Sequence, residues 1–223
     1  MLGDALAFPR RSDDWIQTFL IGAALIPLSL LVLPAFVLQG YMVRVMQAAA
    51  RGTETAPSFT DWRALFVDGL KLAVVGFVVS LVINIPVWIL QFTVLSGDPS
   101  AGVSALFWVV LLLVLVVSLA VAYVLPAAYA NFALEDAAFG AAFDVSTVWA
   151  GATTAAYAKA WLLAVVVGVV LGGIAAALSI ALVGLPLLFY VQVAVYYLTA
   201  RGFAEGLGVR DGSPGATPAA TRV

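Results

Sequence analysis

Four stretches of the chain contain no Asp, Glu, Lys or Arg: Trp15–Val43, Leu72–Gly97, Pro99–Leu134 and Ala160–Ala200. They run for 29, 26, 36 and 41 residues, 132 of 223. A water-soluble domain of this size has no core large enough to hide them, whereas a bilayer takes about 20 apolar residues per crossing. The expected class is therefore all-α: a polytopic integral membrane helix bundle. Composition agrees, with 10% charged residues against roughly 25% in a soluble domain.

The same sequence excludes much chemistry. It has no histidine and no cysteine, which removes thiol nucleophiles, disulfides, imidazole catalysis and zinc or haem sites built on those ligands. Net charge is −2 and no basic stripe is present, so nucleic acid is not an expected partner. The carboxylates Glu135, Asp136 and Asp144 share a loop without metal-ligand spacing, and no phosphate-binding Gly-Lys loop or Gly-x-Ser-x-Gly elbow occurs. No cofactor, metal or catalytic residue is expected, and an enzyme is the least favoured class. An acidic, lysine-poor chain also suits a salt-rich cytoplasm.

Span number turns on the first run. As one straight helix it would measure about 44 Å, and fitting the roughly 30 Å hydrocarbon would need a tilt near 45°, beyond the usual range. A helix kinked at Pro27 and Pro34 gives five spans in all. A hairpin gives six, at about 15–31, 34–50, 72–95, 103–130, 160–181 and 186–200, with the last break near Val183–Pro186. Internal similarity favours the hairpin. Leu28–Phe36 resembles Leu178–Phe189, both continue to Ala-Arg-Gly, at Ala50–Gly52 and Ala200–Gly202, and Val124–Tyr129 is a weaker echo. The reading is three hairpin units. Six spans put all ten Lys and Arg on the cytoplasmic side, with both termini; five put Arg10 and Arg11 outside. No removed signal peptide is expected. The tail 210–223, rich in Gly, Pro, Ser, Thr and Ala, reads as disordered.

Short amphipathic segments complete the picture. Met1–Phe8 reads as an interfacial turn, Ser12 as the cap of the first span, and Ser58–Leu70 as an interfacial helix with Trp62, Leu65, Phe66 and Leu70 on one face. Phe139, Phe143, Val148 and Trp149 are expected to act alike. These segments either feed the spans or dock a cytoplasmic protein partner.

Candidate functional residues follow from the cost of polarity in hydrocarbon. Gln39, Asn131 and Gln192 stand five or six residues after the three Leu-Pro pairs, with Tyr41, Tyr129 and Tyr190 nearby. They line either a polar seam for a solute or lipid headgroup, or ordinary interhelical hydrogen bonds. Arg44 either snorkels to the cytoplasmic interface or stays in the membrane as a functional cation. Gly168, Gly172 and Ala176 form a small-residue face, for packing within the chain or in a homo-oligomer.

Several unlike motifs then occur in order: Pro34-Ala35-Phe36, Gln39–Val45, Arg51-Gly52, Phe59–Trp62, Leu65–Lys71, Leu125-Pro126-Ala127, Phe139–Asp144 and Ala160–Ala164. This series resembles a membrane family of halophilic archaea catalogued as domain of unknown function 4013. The resemblance implies a multi-pass protein of the cell membrane and no particular activity. The chain departs from it at Glu135-Asp136-Ala137, where an Arg would be expected. Two roles are in view: a non-enzymatic membrane-embedded interaction or assembly subunit, and a small permease using the seam.

Overall fold

The computed structural model describes residues 1–95 and 101–209. Most of those residues are helical, with no strand among them. The helices are α1 (Leu2–Ala7), α2 (Trp15–Leu28), α3 (Leu33–Arg51), α4 (Trp62–Leu95), α5 (Ala101–Leu134), α6 (Val145–Ala152), α7 (Ala155–Leu178) and α8 (Gly184–Gly206). The tail 210–223 lies outside the described residues.

Local chemistry sets the boundaries. Asp61 starts α4 by accepting the Ala64 N–H at 3.2 Å, and Thr154 starts α7 by accepting from Tyr157 N at 3.2 Å. Gly52, at φ 73°, ends α3 in the left-handed conformation that glycine adopts without strain. Ser12 does not cap the first span: Asp14 holds that position, and no side chain bonds the helix start.

The Pro-containing breaks at the ends of α2 and α7 share one geometry. Ser29 and Ser179 each donate a hydroxyl to the carbonyl four residues back, Leu25 at 2.7 Å and Ala175 at 2.8 Å. A 3-10 turn follows, then a non-glycine residue at positive φ, Val32 (66°) or Leu182 (62°). The next helix carries its proline in the first turn, at Pro34 or Pro186, where a missing N–H costs nothing. The second break thus falls at Ser179–Leu182, slightly earlier than expected, because the serine back-bond closes the preceding helix first.

Four helical segments are long and apolar enough to cross a bilayer: Trp62–Ile89, Phe107–Leu134, Ala155–Leu178 and Gly184–Gly206. A fifth arises only if Leu2–Arg10 and Trp15–Leu31 form one span, and they are bent 96° apart. The segment expected as span 34–50 is helical, but Gln39, Arg44, Gln47 and Arg51 interrupt α3 and keep its hydropathy too low.

Burial makes α8 the centre of the molecule. Of its apolar window 61% is buried, against 11%, 0% and 17% for the crossing segments of α4, α5 and α7. Helices α1, α2, α3, α5, α6 and α7 all pack on it. From residue 107 on, α5 buries its C-terminal end, at Ala127, Ala128 and Ala130–Ala133, and leaves Leu111–Leu113 and Leu115–Val117 exposed. Such a distribution fits a helix whose solvent is lipid.

Two expected interfacial segments differ from expectation. Ser58–Leu70 is no separate helix; from Trp62 it is the first turns of α4, continuous with the crossing segment. It is held there because Leu65, Gly69 and Leu72 form the stripe packed in the core. The N-terminal turn is docked on the protein rather than lying free, with Ala5 and Phe8 fully buried and the Phe8 ring 4.5 Å from that of Tyr197 on α8.

Candidate functional site

Polar side chains on the apolar helices are engaged mainly with carbonyls of the chain itself. Tyr41 on α3 is buried and donates to Pro57 O at 3.1 Å, while its ring stacks on Phe59. Tyr123 donates to Ala152 O and Tyr157 to Tyr123 O, both at 2.7 Å, and Trp161 Nε1 donates to Ala122 O at 3.1 Å. These three stitch α5 to α6 and α7. Tyr190 donates to Leu6 O and ties α1 to α8. Each bond gives a buried or half-buried polar side chain a backbone acceptor on a neighbouring element.

Arg44 takes a third role beyond the two expected. Its guanidinium reaches back over the segment before α4 and donates to Thr60 O at 2.5 Å, with longer approaches to Ser58 O and Asp61 O at 3.4 Å each. Ser58 in turn donates its hydroxyl to Asp14 at 2.8 Å, which holds the Asp14 carboxyl below its ordinary value. Arg44 is therefore a clasp for the α3–α4 connection, using the planar fork that lysine lacks.

The six expected seam residues do not share one site. Gln192 is exposed on α8, a correction to the interior placement expected of it. The faces of α8 that meet its neighbours belong to Val191, Val193, Ala194 and Tyr197. Gln39 is half-buried on α3. Tyr41 and Tyr190 both belong to the aromatic cluster around Phe189 and Phe19, whereas Tyr129 lies by Gly76 on α4.

Asn131 alone has the unusual environment foreseen for an amide in this fold. It is 2% exposed. Its Nδ2 donates to Ala141 O at 2.8 Å, but its Oδ1 has no partner among the described residues. An unpaired buried acceptor costs about 1–3 kcal/mol. Asn131 lines a polar groove of about 470 Å³ with Glu135, Ala138, Gly140, Ala141, Asp144 and Thr147. Asp144 also caps α6, accepting from the Ser146 and Thr147 hydroxyls at 2.6 and 2.7 Å, and these bonds hold its carboxyl down at about 2.

Of the small-residue face, Gly168 and Gly172 point at α8, with room for a methyl: a Cβ there would lie 3.7 Å from Val195 and 3.8 Å from Val191. Ala176 is exposed and Ala175 is the buried neighbour, a second correction, because the face turns along α7 by one residue. The close approaches are elsewhere, at Gly40 and Gly69, where α3 crosses α4 backbone to backbone.

Sequence reasoning missed the Arg201 network. Arg201 on α8 bonds Asp4 of α1 at 2.7 Å, Glu205 at 2.9 Å and the Tyr197 hydroxyl at 3.2 Å, and Asp4 also meets Arg11. The Arg-Glu spacing of four residues on one helix was a readable signal for the local pair. Nothing in the sequence pointed to Asp4, 197 residues away.

A helical chain with charge-poor crossing segments and polar groups bound to its own backbone is an integral membrane protein. Residues 27–180 match the family described as "Protein of unknown function (DUF4013)", and the chain belongs to that family. No curated protein and no solved structure matches it. The matched region includes Arg44, Gly40, Gly69 and Asn131, and stops before α8.

Proposed function

We propose that the protein is a non-enzymatic interaction or assembly subunit of the cell membrane. The observation that carries this reading is the use of its polar side chains. Tyr41, Arg44, Tyr123, Tyr157, Trp161 and Tyr190 all bond backbone carbonyls of neighbouring elements, which rigidifies a scaffold rather than building a polar path. The separation of Gln39, Asn131 and Gln192 counts against the permease. We keep the six-pass arrangement with both termini cytoplasmic as part of this proposal, although α3 is less apolar than the four crossing segments: the matching turns at Val32 and Leu182 support a hairpin at each, and six crossings would put all ten Lys and Arg on the cytoplasmic side.

The partner's seat in this reading is the segment 139–149. Phe139, Phe143, Val145 and Trp149 are 41–75% exposed there; Val145 and Trp149 stand on α6, which Asp144 caps, and Phe139 and Phe143 on the 3-10 turn just before it. Rigid exposed aromatics are the usual anchors of an interface. The test is affinity purification from native membranes in mild detergent and high salt, followed by mass spectrometry. A stoichiometric partner lost from the Phe143→Ser, Trp149→Ser double variant supports the subunit. A lone monomer or homo-oligomer that carries a solute refutes it in favour of the permease.

A further inference from the structure

Two hollows follow one another along helices α4 and α5. The first, about 200 Å³, is lined by Val79 of α4 and by Val121, Val124 and Ala128 of α5, and Phe143 and Trp149 close it at the α6 end. The second, about 100 Å³, lies further along the same pair, between Val82, Ile83 and Pro86 of α4 and Val110, Leu113 and Val117 of α5. Every lining side chain is apolar apart from the Trp149 indole. Ala128 and Val110 are 18 residues apart, about 27 Å of helix, close to the roughly 30 Å of a bilayer's hydrocarbon.

The shape and lining select the occupant. Neither hollow offers a polar side chain to a solute or an ion beyond that one indole, and water does not fill an apolar cavity. A partner's helix is about 10 Å across, too wide for so small a slot. Lipid is already at its lips: Val82, Leu113 and Val117 line the second hollow and are 69%, 60% and 39% exposed on the crossing segments. The slot is thus continuous with the surface that meets the bilayer. We propose that it holds one acyl chain of a bilayer lipid, lying along α4 and α5 with its headgroup end beside Phe143 and Trp149, next to the polar turn at Asp144, Ser146 and Thr147. Leaving lipid for the slot brings no hydrophobic gain, because both surroundings are apolar. The gain is dispersion: an unfilled hollow forfeits the contacts of its lining atoms, and a file of methylenes restores them. A chain so held fixes α4 against α5 and supports the two aromatics from beneath.

The experiment strips the full chain of loosely held lipid in mild detergent. It is then titrated with palmitoyl-oleoyl phosphatidylglycerol, or with the phosphatidylcholine of the same chains, and bound lipid is read by native mass spectrometry. The expected result is one lipid retained per protein, with similar affinity for both headgroups, since the chain is what the slot holds. Val79→Trp fills the first hollow and Val117→Trp the second, and each should weaken retention about tenfold by taking the space of the chain. Val166→Trp, on the exposed face of α7, should change nothing. All three variants keep Phe143 and Trp149, so loss of lipid is read separately from loss of a protein partner. Absence of a one-to-one complex overturns the proposal. So does a preference of about tenfold for one headgroup, or unchanged retention in both plugged proteins while they keep the native helical spectrum.

Discussion

Replacing Gly69 with alanine should damage this protein more than the same change at Gly172, although both glycines lie on apolar crossing helices. At Gly69 the added methyl would overlap the Phe36 carbonyl oxygen and come within 2.6 Å of Gly40 N and 2.7 Å of Phe36 C. Those atoms are backbone of α3 and cannot rotate away, so the two helices must part. Overpacking of this kind costs about 1–3 kcal/mol and sometimes more. Alanine recovers up to about 1 kcal/mol through its helix propensity. At Gly172 the methyl would meet only the Val191 side chain at 3.8 Å, an ordinary contact, so the propensity gain stands alone. The propensity gain is common to both, so the two variants should differ by the overpacking cost alone, about 1–3 kcal/mol. At about 2–4 °C per kcal/mol for a chain of this size, that separates their midpoints by roughly 2–12 °C. Thermal unfolding in one detergent, followed by circular dichroism, reads the difference. A Gly69→Ala protein as stable as the Gly172→Ala protein would refute the assignment of the close crossing to α3 and α4.

Other consequences can be checked as directly. Arg44→Lys should loosen the connection before α4, since a single ammonium cannot span Ser58 O, Thr60 O and Asp61 O; the readout is faster proteolysis within residues 52–61. Tyr157→Phe should cost about 0.5–1.5 kcal/mol, seen as a lower midpoint, by removing the bond to Tyr123 O. Arg201→Gln should release α1, and hydrogen exchange over Leu2–Ala7 should rise while exchange in α7 stays unchanged. The Asp144 cap has a defined pH window. Its folded pKa, about 2, lies below the ordinary 3.8 because the Ser146 and Thr147 hydroxyls bond its carboxylate. Its stabilisation is therefore complete above pH 3.8 and is lost as pH falls through about 2. Protection of the Ser146 and Thr147 amides, relative to their intrinsic exchange rates, should fall in that interval, and in Asp144→Ala it should be low at every pH.

Sequence alone decided the solvent of this protein. Charge-free runs of 26–41 residues leave helices in lipid as the only way to satisfy both side chains and backbone. The turns after Ser29 and Ser179 were also legible, because proline and the residues before it obey local rules. The cap of the first span was not legible: Asp14 rather than Ser12 holds that position. The family pattern was readable from short motifs in order. What the sequence could not fix was everything that depends on which face meets which neighbour. Gln192 and Ala176 turn outward, Gly40 and Gly69 rather than Gly168 and Gly172 form the tight crossing, and of the three expected amides Asn131 is the one that is buried. The reason is physical. In a sequence that is apolar around the whole helix, periodicity no longer marks a buried face, because lipid and protein interior look alike to a leucine. Only the assembled structure, with α8 at its centre and Asp4 brought to Arg201 across 197 residues, separates the side chains that bind the chain to itself from those that remain open to a ligand or a partner.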